Sequence, residues 1–117
     1  VELILGGKID RQFGPVVMLG IGGTGVEIYG DVVIRMAPLV RRDVDAMARG
    51  LAGHRLLEGY RNRPPVPMDE LARVVLAFSE VMMKYQEQVA SADINPLICS
   101  ADSCVVADAR IILRDRK

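Results

Sequence analysis

The chain has 117 residues, enough for one compact domain, and half of them are hydrophobic, which excludes a disordered segment. Fifteen basic and fifteen acidic residues give a formal net charge of zero, so no global field gathers nucleic acid or an anionic membrane, and partners must be recognised locally. No run of about 20 apolar residues and no secretory leader pattern is visible, so a cytoplasmic protein is expected.

The chain begins with Val1 inside what reads as a strand, so a piece of a longer protein is expected. Val1-Glu2-Leu3-Ile4-Leu5-Gly6 is an apolar strand, Asp10 to Pro15 supplies turn chemistry, and Val16-Val17-Met18-Leu19-Gly20 resumes the sheet. Gly20, Gly22, Gly23 and Gly25 then lead into Val26-Glu27-Ile28-Tyr29, a Gly30-Asp31 turn and Val32-Val33-Ile34-Arg35-Met36, a second hairpin. The glycines lack the Gly-Lys-Ser/Thr ending of a Walker A loop and enter a strand rather than a helix, which excludes both common nucleotide loops. Two readings stay open: backbone N–H groups approaching an anion, or a bulge in the sheet.

From Arg41 the period changes to helical. Val44, Met47, Ala48 and Leu51 form one apolar stripe, with Asp43 as the expected cap and Gly53 as the expected stop. Pro64-Pro65-Val66-Pro67 forbids helix and makes an extended connection. A long helix is predicted from Asp69 to about residue 90, with Leu71, Val74, Val75, Phe78, Met82, Tyr85 and Val89 on its buried face. His54 reads as a loop residue without a partner for general-base work.

The chain closes with Asp93-Ile94-Asn95-Pro96-Leu97-Ile98, the turn Ser100-Ala101-Asp102-Ser103, and Val105 to Leu113, an antiparallel hairpin. Cys99 and Cys104 flank the turn as reduced, structural thiols. The predicted fold is α+β, an antiparallel or mixed sheet with two main helices on one face. Polar Glu2, Glu27, Arg35, Asn95 and Asp108, inside otherwise apolar strands, are expected together on the other face, because burying an unpaired charge is costly. Asn95 and Asp108, backed by Asp93, offer oxygen ligands suited to Mg²⁺; an Asx turn and an exposed strand carboxylate are the alternative. Arg35 suits a phosphate, or a cross-strand ion pair with Glu27.

Asp93-Ile94-Asn95-Pro96-Leu97 followed by Ala107-Asp108-Ala109-Arg110 resembles the closing hairpin of the ATP-grasp domain in nucleoside-diphosphate-forming acyl-CoA synthetases, acetate-CoA ligase beta subunits among them. Succinyl-CoA synthetase beta subunits are similar, with Glu in place of Asp93 and Lys in place of Arg110. The likeness extends through Glu2 to Gly6, Phe13 to Met18, Gly22-Gly23, Val26-Glu27, Asp31-Val32, and Arg35 through Ala37-Pro38-Leu39. One departure is Gly25, where the family places a bulky apolar or aromatic residue.

The resemblance implies that residues 1–117 are the C-terminal subdomain of an ATP-grasp domain, a fragment of a larger enzyme. It implies ATP/ADP and Mg²⁺ as cofactors, with Asn95 and Asp108 on the metal and Glu2 and Arg35 on the nucleotide. The implied reaction converts acyl-CoA, ADP and phosphate to acid, ATP and CoA through a phosphohistidine on another domain, so no catalytic residue is expected in this chain. Implied partners are the rest of the ATP-grasp domain, the CoA-binding domain or subunit, and CoA thioester and carboxylic acid substrates. Neither nucleic acid nor membrane is among them. A non-catalytic regulatory domain of a protein lysine acetyltransferase is the alternative.

Overall fold

A computed structural model describes residues 1–22, 31–60 and 62–115. The strand expected over Val26 to Tyr29, with Glu27, and the glycines from Gly23 to Gly25 lie outside the described residues. Nine elements follow in order: β1 (Glu2–Asp10), β2 (Gly14–Ile21), β3 (Val32–Met36), α1 (Arg41–Gly50), α2 (Arg55–Glu58), α3 (Met68–Lys84), β4 (Val89–Cys99), β5 (Cys104–Val106) and β6 (Ala109–Leu113). The strands form one six-stranded sheet ordered β3-β2-β1-β4-β5, with β6 also on β4, and every pairing is antiparallel.

The first hairpin shows how local chemistry sets the sheet. The Asp10 carboxylate accepts the backbone N–H groups of Gln12 (2.7 Å) and Phe13 (3.0 Å), and these two bonds hold its carboxyl below the usual carboxylate range. Gly14 closes the three-residue loop at φ 75°, a left-handed conformation that a side chain would strain. With Asp10 opposite Gly14, the register places Leu3, Leu5 and Gly7 beside Ile21, Leu19 and Val17. These residues face the helices, and both Leu3 and Leu5 are fully buried.

Across that side lies α3, with Leu71, Val75, Phe78, Ser79 and Met82 buried as its inner stripe. Phe78 and Met82 are core, as the periodicity predicts. Gly7 is the point of closest approach, since a Cβ there would stand 2.9 Å from Phe78 and 3.0 Å from Met82. The α1 helix packs beside α3 and over β3, burying Val44 and Met47. The buried Ser79 hydroxyl accepts the Leu39 N–H (3.0 Å) and ties the β3–α1 connection to α3.

Three expectations need correction. Asp43 is not the first cap of α1, which starts at Arg41; it sits in the first turn, and its carboxylate accepts the Val40 N–H at 2.8 Å. Gly53 does not stop this helix, which ends at Gly50. Its smallness serves close approach instead, because a Cβ would meet Ile21 at 2.7 Å. The long helix ends at Lys84 rather than near residue 90, and Val89 belongs to β4, opposite Leu113. The 85–88 turn keeps a helix-like spacing, so Val89 returns to the core at a position that periodicity reads as helix.

Asp31, expected as a turn residue before β3, is a buried carboxylate. It accepts the N–H groups of Ala52 (2.6 Å) and Gly53 (3.0 Å), pinning the end of α1 to the start of β3. Asp31→Ala should therefore destabilise the fold by about 1–3 kcal/mol, because it strands two partly buried donors. An unchanged urea midpoint would show that water replaces the carboxylate there. Gly7→Val should lower stability by about 1–3 kcal/mol through overpacking against Phe78 and Met82, again read from the urea midpoint.

Candidate functional site

Alternation along the strands divides the sheet into a helix side and an open side. On the open side β1 presents Glu2, Ile4, Gly6 and Lys8, in register with Gly20, Met18 and Val16 of β2 opposite the last three. The next strand adds Val32, Ile34 and Met36 to the same side. On β4 the buried Ala92, Ile94 and Leu97 face the helices, which turns Ser91 and Asp93 to the open side.

Asn95 and Asp108 meet across the closing hairpin. Leu97 pairs with Val106 and Ile94 with Ala109, and the two rungs between are bridged by Asn95 N–H to the Asp108 carbonyl (3.0 Å) and Ala107 N–H to the Pro96 carbonyl (3.1 Å). Asn95 is thus directly opposite Asp108. Both are exposed, while Ile94 and Leu97 on either side of Asn95-Pro96 are buried three residues apart, so strict alternation breaks within this stretch. Against β1 the same stretch holds a bulge: β4 advances three residues, from Ile94 to Leu97, while β1 advances two, from Leu5 to Leu3. Asp93 faces Arg110 on an open-side rung, and Gly6 on its other flank.

Glu2 lies on this side near the same end of the sheet, opposite Ile98, and its carbonyl accepts the Gly22 N–H at 2.9 Å. Gly22 therefore stands beside Glu2 at this end of the sheet. Arg35 is different. It pairs with the buried Val17, so its parity is that of the helix side, and it stands exposed at the edge strand. The expectation of one polar face shared by five residues is corrected for Arg35, and for Glu27 it falls outside the described residues. The cause is register, since β3 meets β2 with Val33 and Arg35, not Ile34, on the core rungs.

Beside Asp93 the open side forms a trough of roughly 650 Å³ over Gly6, Lys8, Met18, Ile34 and Met36, with Arg35 at its rim. Sequence reasoning missed this trough. Its signal was present in Val16-Val17-Met18-Leu19, apolar at both parities, which is the pattern of a strand covered on two faces. Ile34 and Met36 are 61% and 58% exposed, a large apolar surface for a polar solvent to meet. Among the described residues no group of three or more His, Cys, Asp and Glu forms a metal cage. His54 stays apart from the trough at the start of α2, its Nδ1 3.1 Å from the Leu51 carbonyl.

Known proteins resemble this chain in sequence and in fold. Residues 1–113 match the model of the ATP-grasp domain family. Acetate–CoA ligase [ADP-forming] II of Archaeoglobus fulgidus is 40% identical over 117 residues, all of this chain and 17% of the relative. The beta subunit of acetate–CoA ligase [ADP-forming] I of Pyrococcus furiosus is 39% identical over 112 residues, 96% of this chain and 48% of the relative. The chain thus spans between about a sixth and a half of these relatives. Among solved structures, acetyl-coenzyme A synthetase 1 of Ca. Korarchaeum cryptofilum, in complex with coenzyme A and Mg-AMPPCP and with its phosphohistidine segment pointing towards the nucleotide binding site, superposes with a TM-score of 0.91. It is 39% identical, and the match covers 97% of this chain and 53% of that one. With the fold, the closing hairpin and the match over residues 1–113 in agreement, this chain belongs to the ATP-grasp domain family.

Proposed function

We propose that this chain is the nucleotide- and Mg²⁺-binding half of an ADP-forming ATP-grasp acyl-CoA synthetase. The observation that carries the reading is the Asn95–Asp108 rung, two exposed residues facing each other across the closing hairpin of a chain that is 39% identical to a synthetase in complex with coenzyme A and Mg-AMPPCP. An amide oxygen and a carboxylate on facing residues fit Mg²⁺, which takes one or two protein oxygens and leaves its other positions to phosphate and water. When bound, the ion would neutralise phosphate charge during phosphoryl transfer.

The chain's own residues position rather than react. Asn95 and Asp108 hold the metal, and Glu2, at the same end of the open side, accepts from the ribose hydroxyls. Arg35 serves a phosphate from the rim of the trough, reaching past the edge of β3. The phosphoryl group passes through a histidine on another domain, so acyl-CoA, ADP and phosphate become acid, ATP and CoA only with the rest of the ATP-grasp domain and the CoA-binding domain in place. The exposed apolar open side supports this division, because a sheet apolar on both faces is stable in water only when both are covered. The regulatory role beside a lysine acetyltransferase gains no support from the relatives named above, and the sequence of the whole parent protein distinguishes the two.

In the complete enzyme, Asp108→Asn should lower turnover about 100-fold or more at limiting Mg²⁺. Stability should stay within about 0.5 kcal/mol, since an exposed carboxylate contributes little to the fold. A fully active variant would end the metal assignment. The chain alone should be inactive and should bind Mg-ATP more weakly than micromolar, about −8 kcal/mol, because half a clamp lacks the contacts of the other half. Calorimetry that finds a tighter site would overturn the two-half reading.

A further inference from the structure

Cys99 ends β4 and Cys104 begins β5, and the two are directly opposite. Their rung lies next to the hairpin's closing bond, Ser100 N–H to the Ser103 carbonyl at 2.8 Å, while the Cys99 N–H points the other way to the Val1 carbonyl at 2.8 Å. The cysteines therefore occupy a rung without mutual backbone hydrogen bonds, where Cα atoms stand about 4.5 Å apart and side chains are nearest. A disulfide needs a Cα separation of about 4.4–6.8 Å with both Cβ atoms on one side, and the general spacing of such a rung falls in that range. Both side chains are buried, hydrogen bonded to each other, and free thiols.

We propose that Cys99 and Cys104 form a reversible cross-strand disulfide that locks the β4–β5 hairpin under oxidising conditions. The oxidant is a low-molecular-weight disulfide. One cysteine thiolate attacks it, releasing one small thiol and forming a mixed disulfide; the second cysteine sulfur displaces the other small thiol. Two protons and two electrons leave the cysteine pair, and the two released thiols carry them. The β5 strand is three residues long and lies at the sheet edge, so brief opening of the tip admits the small reagent. Burial pushes both thiols above the ordinary thiol range, which keeps thiolate scarce and makes the exchange slow at neutral pH. The rate should rise about tenfold per pH unit while thiolate remains the minor form. The lock acts on the ladder that continues to Asn95 and Asp108, but its formation does not depend on the proposed function.

The test incubates the folded chain with oxidised glutathione at mildly alkaline pH and follows thiol titre, intact mass and the thermal midpoint. The titre should fall from two thiols to none. The monomer should lose the mass of its two thiol hydrogens, the midpoint should rise, and dithiothreitol should reverse all three. Cys104→Ser, with one thiol, should stop at a mixed disulfide; should that variant fail to fold, the wild-type readings decide alone. Stable glutathione adducts or chain-to-chain dimers in the wild type would overturn the proposal. So would thiols that survive in the folded chain under conditions that oxidise the urea-unfolded chain, or an oxidised form that melts lower.

Discussion

The register of β4 against the interrupted strand beside it is the constraint on which the candidate site depends. From Cys99–Cys104 through Leu97–Val106 to Asp93–Arg110 the two segments stay in step, although β5 and β6 are separated at Ala107 and Asp108. A slip of one residue would leave Asn95 without Asp108 as its neighbour. The bulge at Asn95-Pro96 against β1 coincides with the gap between β5 and β6, and single backbone bonds from Asn95 to Asp108 and from Ala107 to Pro96 carry the pairing across it. Tight pairing at the turn, where Ser100 and Ser103 close the hairpin, sets the count for every rung below.

The two sides of the sheet are solved differently. On the helix side, Leu3, Leu5, Val17, Leu19 and Leu97 have no exposure, and glycine at position 7 lets α3 settle close to the strands. The open side has comparable apolar content but nothing among the described residues covers Ile34 and Met36. A sheet covered by helices on one face leaves the other face available to a further layer.

Charge is used sparingly and locally. The Arg41 guanidinium pairs with Asp45 (3.2 Å) and Asp69 (2.7 Å), joining the starts of α1 and α3 at the surface, where such pairs add little stability. Asp31 contributes more, because its two backbone partners lie partly out of water and tie two distant parts of the chain. In both cases a carboxylate fixes the position of a helix end relative to a strand or a second helix, and the hydrophobic contacts do the rest.

The amino-acid sequence by itself determined the strands β1 to β3, the two main helices, the closing hairpin, the core identity of Phe78 and Met82, and the candidacy of Asn95 and Asp108, because apolar period and turn residues act within a few positions of one another; it did not determine the short α2. It also carried the family, through motifs at both ends of the chain. Where α3 ends could not be read from it, since Val89 is apolar and buried in a strand as it would have been in a helix. Nor could the face of Arg35, or the role of Gly53 and Asp31, which follow from how β3 meets β2 and from where the end of α1 comes to rest. Only the tertiary structure decided these, because strand register and close approach are set by contacts between segments far apart in the chain, and a residue's own neighbours in sequence hold no record of them.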